Sequence, residues 1–142
     1  MDNQTDWKPL YPFESRYFDL GGLRYHYVDE GSGPPVVMVH GNPTWSFYYR
    51  ELIKSLRSTH RCIVPDHIGC GLSDKPGDSN YQYTLDRRVA DLEALLAHLG
   101  IERDVTLIVH DWGGMIGMSW ALLRPERIAR LVILNTGAFL LP

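Results

Sequence analysis

Much that would give a chain of 142 residues an obvious role is missing from this one. No basic stripe marks a nucleic-acid surface, and a formal charge of −3 offers a polyanion nothing. The longest apolar runs are far too short to span a bilayer. The polar, acidic opening Met-Asp-Asn-Gln-Thr-Asp also lacks the positive start of a signal peptide, so a cytoplasmic protein without a membrane span is expected. Cysteine is scarce: Cys62 and Cys70 form no C-x-x-C pair and have no zinc-ligand spacing, which predicts plain thiols and no metal. A Walker A sequence is absent. The dinucleotide fingerprint fails too, because Gly69-x-Gly71 is followed by Asp74 where a third glycine belongs, and Gly31-x-Gly33 precedes a strand. No repeat or low-complexity tract appears, and with 44% hydrophobic and 22% charged residues the composition is that of one globular domain.

What is present is an ordered series of strand and helix signals. After an irregular lead-in over Met1 to Glu14, Arg16 to Leu20 and Leu23 to Val28 flank Gly21-Gly22, a strong hairpin signal. Leu23, Tyr25 and Tyr27 alternate with Arg24 and His26, which predicts an edge strand with His26 on its polar face. Val36 to Val39 and Cys62 to Val64 are short apolar runs of the kind buried on both faces of a parallel sheet. Helical spacing follows over Ser46 to Leu56, and again from Val89 to Leu99, where Thr84 can cap and Gly100 can close the helix. Val105 to Val109, a helix to Leu123 and a last strand over Ile128 to Leu134 complete the series. The order predicts an α/β fold: an antiparallel hairpin, then a mostly parallel sheet with helices on both faces.

The densest signal is the stretch from Val105 to Met118. An apolar β-branched run stops at His110-Asp111, then Trp112-Gly113-Gly114 opens a helix, so Asp111 sits at the apex of a strand-turn-helix elbow. Gly113 suits a backbone that must pass close to the strand, whereas Val109 stands where such elbows usually carry a first glycine. A carboxylate needs no base to ionise at neutral pH, and its natural target is a saturated carbon bearing a leaving group. Attack there gives an alkyl ester that water can hydrolyse. The plainer alternative is that Asp111 only caps the helix that follows.

Three loops lie at the carboxyl ends of predicted parallel strands, where open α/β sheets build their sites. Together, His40-Gly41-Asn42-Pro43-Thr44-Trp45, the segment from Pro65 to Pro76 and His110-Asp111-Trp112-Gly113-Gly114 resemble the haloalkane dehalogenase branch of the α/β-hydrolase superfamily. The resemblance runs from about Arg16 to Leu134. It implies an α/β-hydrolase core, Asp111 as nucleophile, Asn42 and Trp112 as neutral donors to the leaving halide, and their backbone N–H groups as the oxyanion hole. It implies no cofactor, and a small apolar substrate, a haloalkane or a β-lactone, as partner. Epoxide hydrolases resemble the elbow but usually carry an apolar residue in the Asn42 slot. The β-lactone decarboxylases of olefin biosynthesis share the aspartate, asparagine and tryptophan and are the nearer alternative.

That family also uses a late histidine and an acid that orients it, together with a cap domain, and this sequence supplies none of them. His110 cannot stand in, because neighbours at a strand end point to opposite faces; Asn135-Thr136-Gly137-Ala138-Phe139 offers no carboxylate. The expectation is an incomplete core domain over residues 1–142, inactive by itself. A non-catalytic fragment or scaffold is the remaining alternative. The last strand, Leu131 to Leu134, is expected to be an exposed apolar edge through which the chain associates or aggregates.

Overall fold

The computed structural model describes residues 6–137. Six strands form one mixed sheet in the order β1-β2-β4-β3-β5-β6. β1 (Arg16–Leu20) and β2 (Leu23–Glu30) make the predicted hairpin, with Gly21 at φ 64° and Gly22 at φ 91°, the left-handed pair a two-residue turn requires. β2 also pairs antiparallel with β4 (Arg61–Pro65). β4, β3 (Pro35–Val39), β5 (Val105–His110) and β6 (Ile128–Leu134) then run parallel. α1 (Arg50–Leu56), preceded by a 3₁₀ turn over Ser46–Tyr49, α2 (Leu85–His98) and α3 (Trp112–Leu123) make the crossovers.

The strand alternation shows why both faces are apolar. Val37 and Val39 join Ile63, Leu92, Leu96, Leu107 and Ile116 in one core beneath α2 and α3, while Val36 and Met38 join Val64, Tyr49 and Ile53 in the other beneath α1. Thr84 caps α2 by accepting from the Arg87 N–H at 3.2 Å, as its position predicts, and Gly100 stands past the helix end at φ 68°. Among its described residues the lead-in carries a 3₁₀ turn over Lys8–Leu10, is otherwise irregular, and is not loose. Trp7, Tyr11 and Phe13 pack with Trp45 and Phe47, and Tyr11 is buried.

The assignment of His26 to the polar face of an edge strand is overturned. β2 lies between β1 and β4, and His26 is fully buried, with Nδ1 2.9 Å from Asp66 Oδ2 and Nε2 3.1 Å from Ser15 Oγ. The carboxylate lies close to Nδ1 without forming a well-aligned hydrogen bond to it. Period-two alternation fails here because Ser15 and Asp66 place polar atoms beside the imidazole on the covered face.

Asp66, just past β4, ties the loops at the carboxyl end together. It accepts from Ser46 N–H at 2.7 Å and Leu72 N–H at 2.8 Å. Burial alone would raise its carboxyl, but His26, His40 and the Leu72 N–H hold it below the ordinary carboxylate value. Next to it, His40 and His67 form a buried pair with ring centroids 4.2 Å apart. The His67 N–H donates to His40 Nε2 at 3.0 Å, and His67 Nε2 donates to the His40 carbonyl at 2.9 Å. With Nε2 accepting, His40 carries its proton on Nδ1, which donates to the Gly41 carbonyl at 2.8 Å. Burial, first of all, lowers the pKa of both imidazoles.

Two predictions follow from this framework. A histidine whose folded-state pKa is depressed takes up a proton more readily unfolded, so stability falls as pH drops below about 6.5. Each of His40 and His67 contributes up to roughly 1.4 kcal/mol per pH unit to that slope. Gln at position 67 keeps a donor to the His40 carbonyl but cannot titrate; denaturant unfolding of His67→Gln between pH 7 and 5 is expected to show a visibly shallower loss than wild type, and an unchanged slope would refute the assignment. The second concerns β6, where Leu131, Val132 and Ile133 are 41%, 38% and 54% exposed at the end of the sheet. Expressed as residues 1–142, the chain is expected to self-associate through this edge, and Val132→Lys to shift it toward monomer in light scattering. A wild-type monomer with a sharp thermal transition would contradict this.

Candidate active site

The candidate site is built where β3 and β5, neighbours in the sheet, both end. β5 delivers Asp111 into a backbone conformation of φ 52°, ψ −130°, which an L-residue adopts only under strain. Its carbonyl accepts from Gly114 N–H at 2.8 Å and from Thr136 Oγ1 at 2.5 Å, two bonds that hold the turn. Gly113 is required as expected, since a Cβ there would lie 2.0 Å from the Val39 carbonyl oxygen. The departure at Val109 is matched one turn into α3. A Cβ at Gly117 would come within 2.5 Å of Val109 Cγ1, so the volume absent from one position is occupied from the other.

The Asp111 carboxylate makes no N-cap bond to the second or third N–H of α3. It faces the loop after β3, where the Asn42 N–H donates to Oδ2 at 3.0 Å. Gly41 permits that approach, because a Cβ on it would fall 2.3 Å from the same oxygen. The backbone N–H of Trp112, first, and that of Asn42 hold the Asp111 carboxyl below its ordinary value. The group is therefore an anion at neutral pH in contact with backbone donors, and no lysine or arginine pairs with it among the described residues.

The two predicted side-chain donors flank it. Trp112 follows Asp111 directly and is 45% exposed. Asn42 is exposed, and its Oδ1 faces the Cys70 thiol at 3.8 Å, which leaves the NH₂ group unengaged among the described residues. The Asn42–Pro43 peptide is cis. Asp111, Asn42 and Trp112 are thus brought together. His110 is not: its ring stacks on Tyr48 at 4.4 Å, away from the carboxylate bonds. His60 sits beside Thr59 and His98 against Phe18, both far from the elbow in the fold. Ala138 and Phe139, weighed above for an acid, lie outside the described residues.

Sequence reasoning missed Thr136 and Asp66. Both act on backbone groups from another loop, and no local spacing announces such a contact. Asp66 had one legible sign, a lone carboxylate at the end of an apolar strand beside Gly69 and Gly71. A Cβ on Gly71 would strike its Oδ2 at 2.2 Å.

Comparison with known proteins agrees with this geometry. The chain is 65% identical over 133 residues to a cis-3-alkyl-4-alkyloxetan-2-one decarboxylase of Shewanella oneidensis, covering 94% of the chain and 42% of that protein. It is 47% identical over 127 residues to haloalkane dehalogenase 2 of Mycobacterium tuberculosis, covering 89% and 43%. The structure of the haloalkane dehalogenase DpaA from Paraglaciecola agarilytica superposes with a TM-score of 0.81 at 36% identity, over 90% of the chain and 45% of that structure. The chain therefore spans less than half the length of the relatives it matches. No helix among the described residues is long and apolar enough to cross a membrane. The family model of the alpha/beta hydrolase fold matches residues 34–142, and with the elbow and sheet order above it establishes that this chain belongs to the α/β-hydrolase family.

Proposed function

We propose that the intact gene product carrying this chain is a β-lactone decarboxylase that converts a cis-3,4-dialkyl oxetan-2-one to an alkene and carbon dioxide, with Asp111 as nucleophile. The observation that carries this reading is the excess of identity to the decarboxylase, 65%, over that to the dehalogenase, 47%, across the segment that builds the elbow and both loops. It reverses the order in which the motifs alone rank the two activities.

The chemistry suits the residues. An Asp111 oxygen attacks ring carbon C4, the C4–O bond breaks, and its electron pair remains on oxygen as a carboxylate attached through C3. Asn42 and Trp112 offer neutral N–H donors to that developing anion. The C3 carboxylate then departs as carbon dioxide while its bonding pair forms the C3=C4 double bond and the ester bond from C4 to Asp111 breaks. The aspartate is regenerated with no water consumed and no net proton transfer. A dehalogenase uses the same first step on a carbon–halogen bond, but its alkyl ester must be hydrolysed by an activated water. The neutral donors Asn42 and Trp112 suit the leaving anion of either first step and do not separate the two readings.

One assay separates the readings. Given a cis-3,4-dialkyl oxetan-2-one and 1-bromobutane in parallel, the intact gene product is expected to yield alkene and carbon dioxide in equal amounts with little bromide. Asp111→Asn should reduce the rate by at least roughly 10³-fold. Faster bromide release would favour the dehalogenase, and turnover of neither would favour a binding protein. Because Asp111 is held below its ordinary value, it should impose no acid limb on kcat/KM above pH about 4.

A further inference from the structure

Beside the oxyanion loop, on a wall that includes Asn42 but neither Asp111 nor Trp112, lies an open recess of about 530 Å³. Cys70, Lys75, Pro76, Tyr83 and Arg88 complete the lining that matters here, and no aspartate or glutamate is among the residues around it. Most of the arginines pair with a carboxylate, whereas Arg88, like Arg130, makes no ion pair among the described residues. Its Nη1 is buried with no hydrogen-bond partner. That atom lies beneath the surface, so an occupant of the open recess would meet the rest of the guanidinium.

The neighbouring carboxylates do not pair with it. Asp91, one turn along α2, is held by Arg87 at 2.9 Å and by the Tyr81 hydroxyl at 2.6 Å. Asp66 is enclosed by Ser46, Leu72 and His26. Lys75 donates to the carbonyls of Gly71 at 2.6 Å and Ser73 at 3.1 Å, which leaves one of its three protons unengaged. Two positive charges with donors to give therefore face a recess without an acid. Pro43, Pro76 and the Tyr83 ring supply apolar wall beside them.

We propose that this recess is a binding site for a small carboxylate with an alkyl tail, its head group taken by Arg88 and Lys75 and its tail laid along Pro43, Pro76 and Tyr83. A guanidinium fork matches a carboxylate in shape, and the mixed wall distinguishes this ligand from a free inorganic anion. Asn42 and Cys70 border both this recess and the oxyanion loop, so an occupant presses on the residue that faces Asp111 from the other side. The site is independent of which reaction Asp111 carries out.

The test is calorimetric titration of the intact gene product with butyrate, hexanoate and inorganic phosphate. Saturable binding is expected for both carboxylates, tighter for hexanoate, with phosphate weaker than either. Arg88→Gln should weaken binding by roughly tenfold or more, while Arg103→Gln, a change of equal charge at a remote exposed arginine, should leave it unaltered. Arg88→Lys, which keeps the charge and loses the fork, should fall between them. A second readout needs no variant: butyrate should slow alkylation of Cys70 by iodoacetamide, followed by peptide mass, since Cys62 is buried in the core. Absence of saturable carboxylate binding by a wild-type protein with a cooperative thermal transition would overturn the proposal. So would phosphate binding as tightly as hexanoate, or Arg88→Gln folding normally and binding unchanged.

Discussion

One close approach governs the carboxyl end of this sheet: the Asp111 carboxylate against the Asn42 N–H, at 3.0 Å. Two chain segments from different strands must meet with almost nothing between them, and that demand explains residues that look incidental one at a time. Gly41 has no Cβ because the carboxylate occupies the place where one would be, and Gly113 has none because the Val39 carbonyl does. The φ of 52° at Asp111 costs on the order of 1 to 3 kcal/mol. It is sustained by two hydrogen bonds to the Asp111 carbonyl and by the parallel pairing of β5 with β3 and β6. The strain and the contact are two aspects of one arrangement. Relaxing the turn would withdraw the carboxylate from its donors.

The loop that supplies Asn42 has no regular structure of its own, and buried polar groups fix it. His40 and His67 bond each other twice and the Gly41 carbonyl once, all through neutral imidazoles. Asp66 anchors the next segment at Ser46 and the facing loop at Leu72. Burying such groups is costly unless every donor and acceptor is matched, and matching them specifies one loop conformation where an apolar filling would allow several. Rigidity at Asn42 therefore comes from satisfied polar networks, whereas rigidity in the sheet comes from close-packed valine, isoleucine and leucine.

This difference in origin decides what could be read from the sequence. The sheet was legible because apolar periodicity, the Gly21-Gly22 turn and the Thr84 cap are local signals, and each falls where the structure has it. The positions of Asn42, Asp111 and Trp112 at the ends of β3 and β5 were legible because the motifs that contain them follow apolar strand signals. His26 was misread: period-two alternation assumes that a polar residue between apolar ones faces water, and the rule has no knowledge of Asp66, forty residues on in the chain. Thr136 and the role of Asp66 were out of reach for the same reason. Their function is to bond backbone groups of distant loops, and the pattern that would reveal it exists only once the chain has folded. Val109 is the instructive intermediate. By itself it breaks the elbow pattern, yet Gly117, eight residues later on the facing helix, restores the fit; the rule concerns the space between strand and helix and not the identity of either residue.

The distribution of charge follows from the same contact. In the proposed reaction Asp111 attacks carbon and has to remain an anion, and a lysine or arginine paired with it would lower its nucleophilicity and hold the leaving anion after bond breakage. The donors that hold the Asp111 carboxylate are uncharged, the backbone N–H groups of Trp112 and Asn42. Positive charge is kept at the far side of the oxyanion loop, where Lys75 and Arg88 face a separate recess. There the cations do not pair with Asp111, and the thin loop between the two regions, Gly41 to Pro43, borders both.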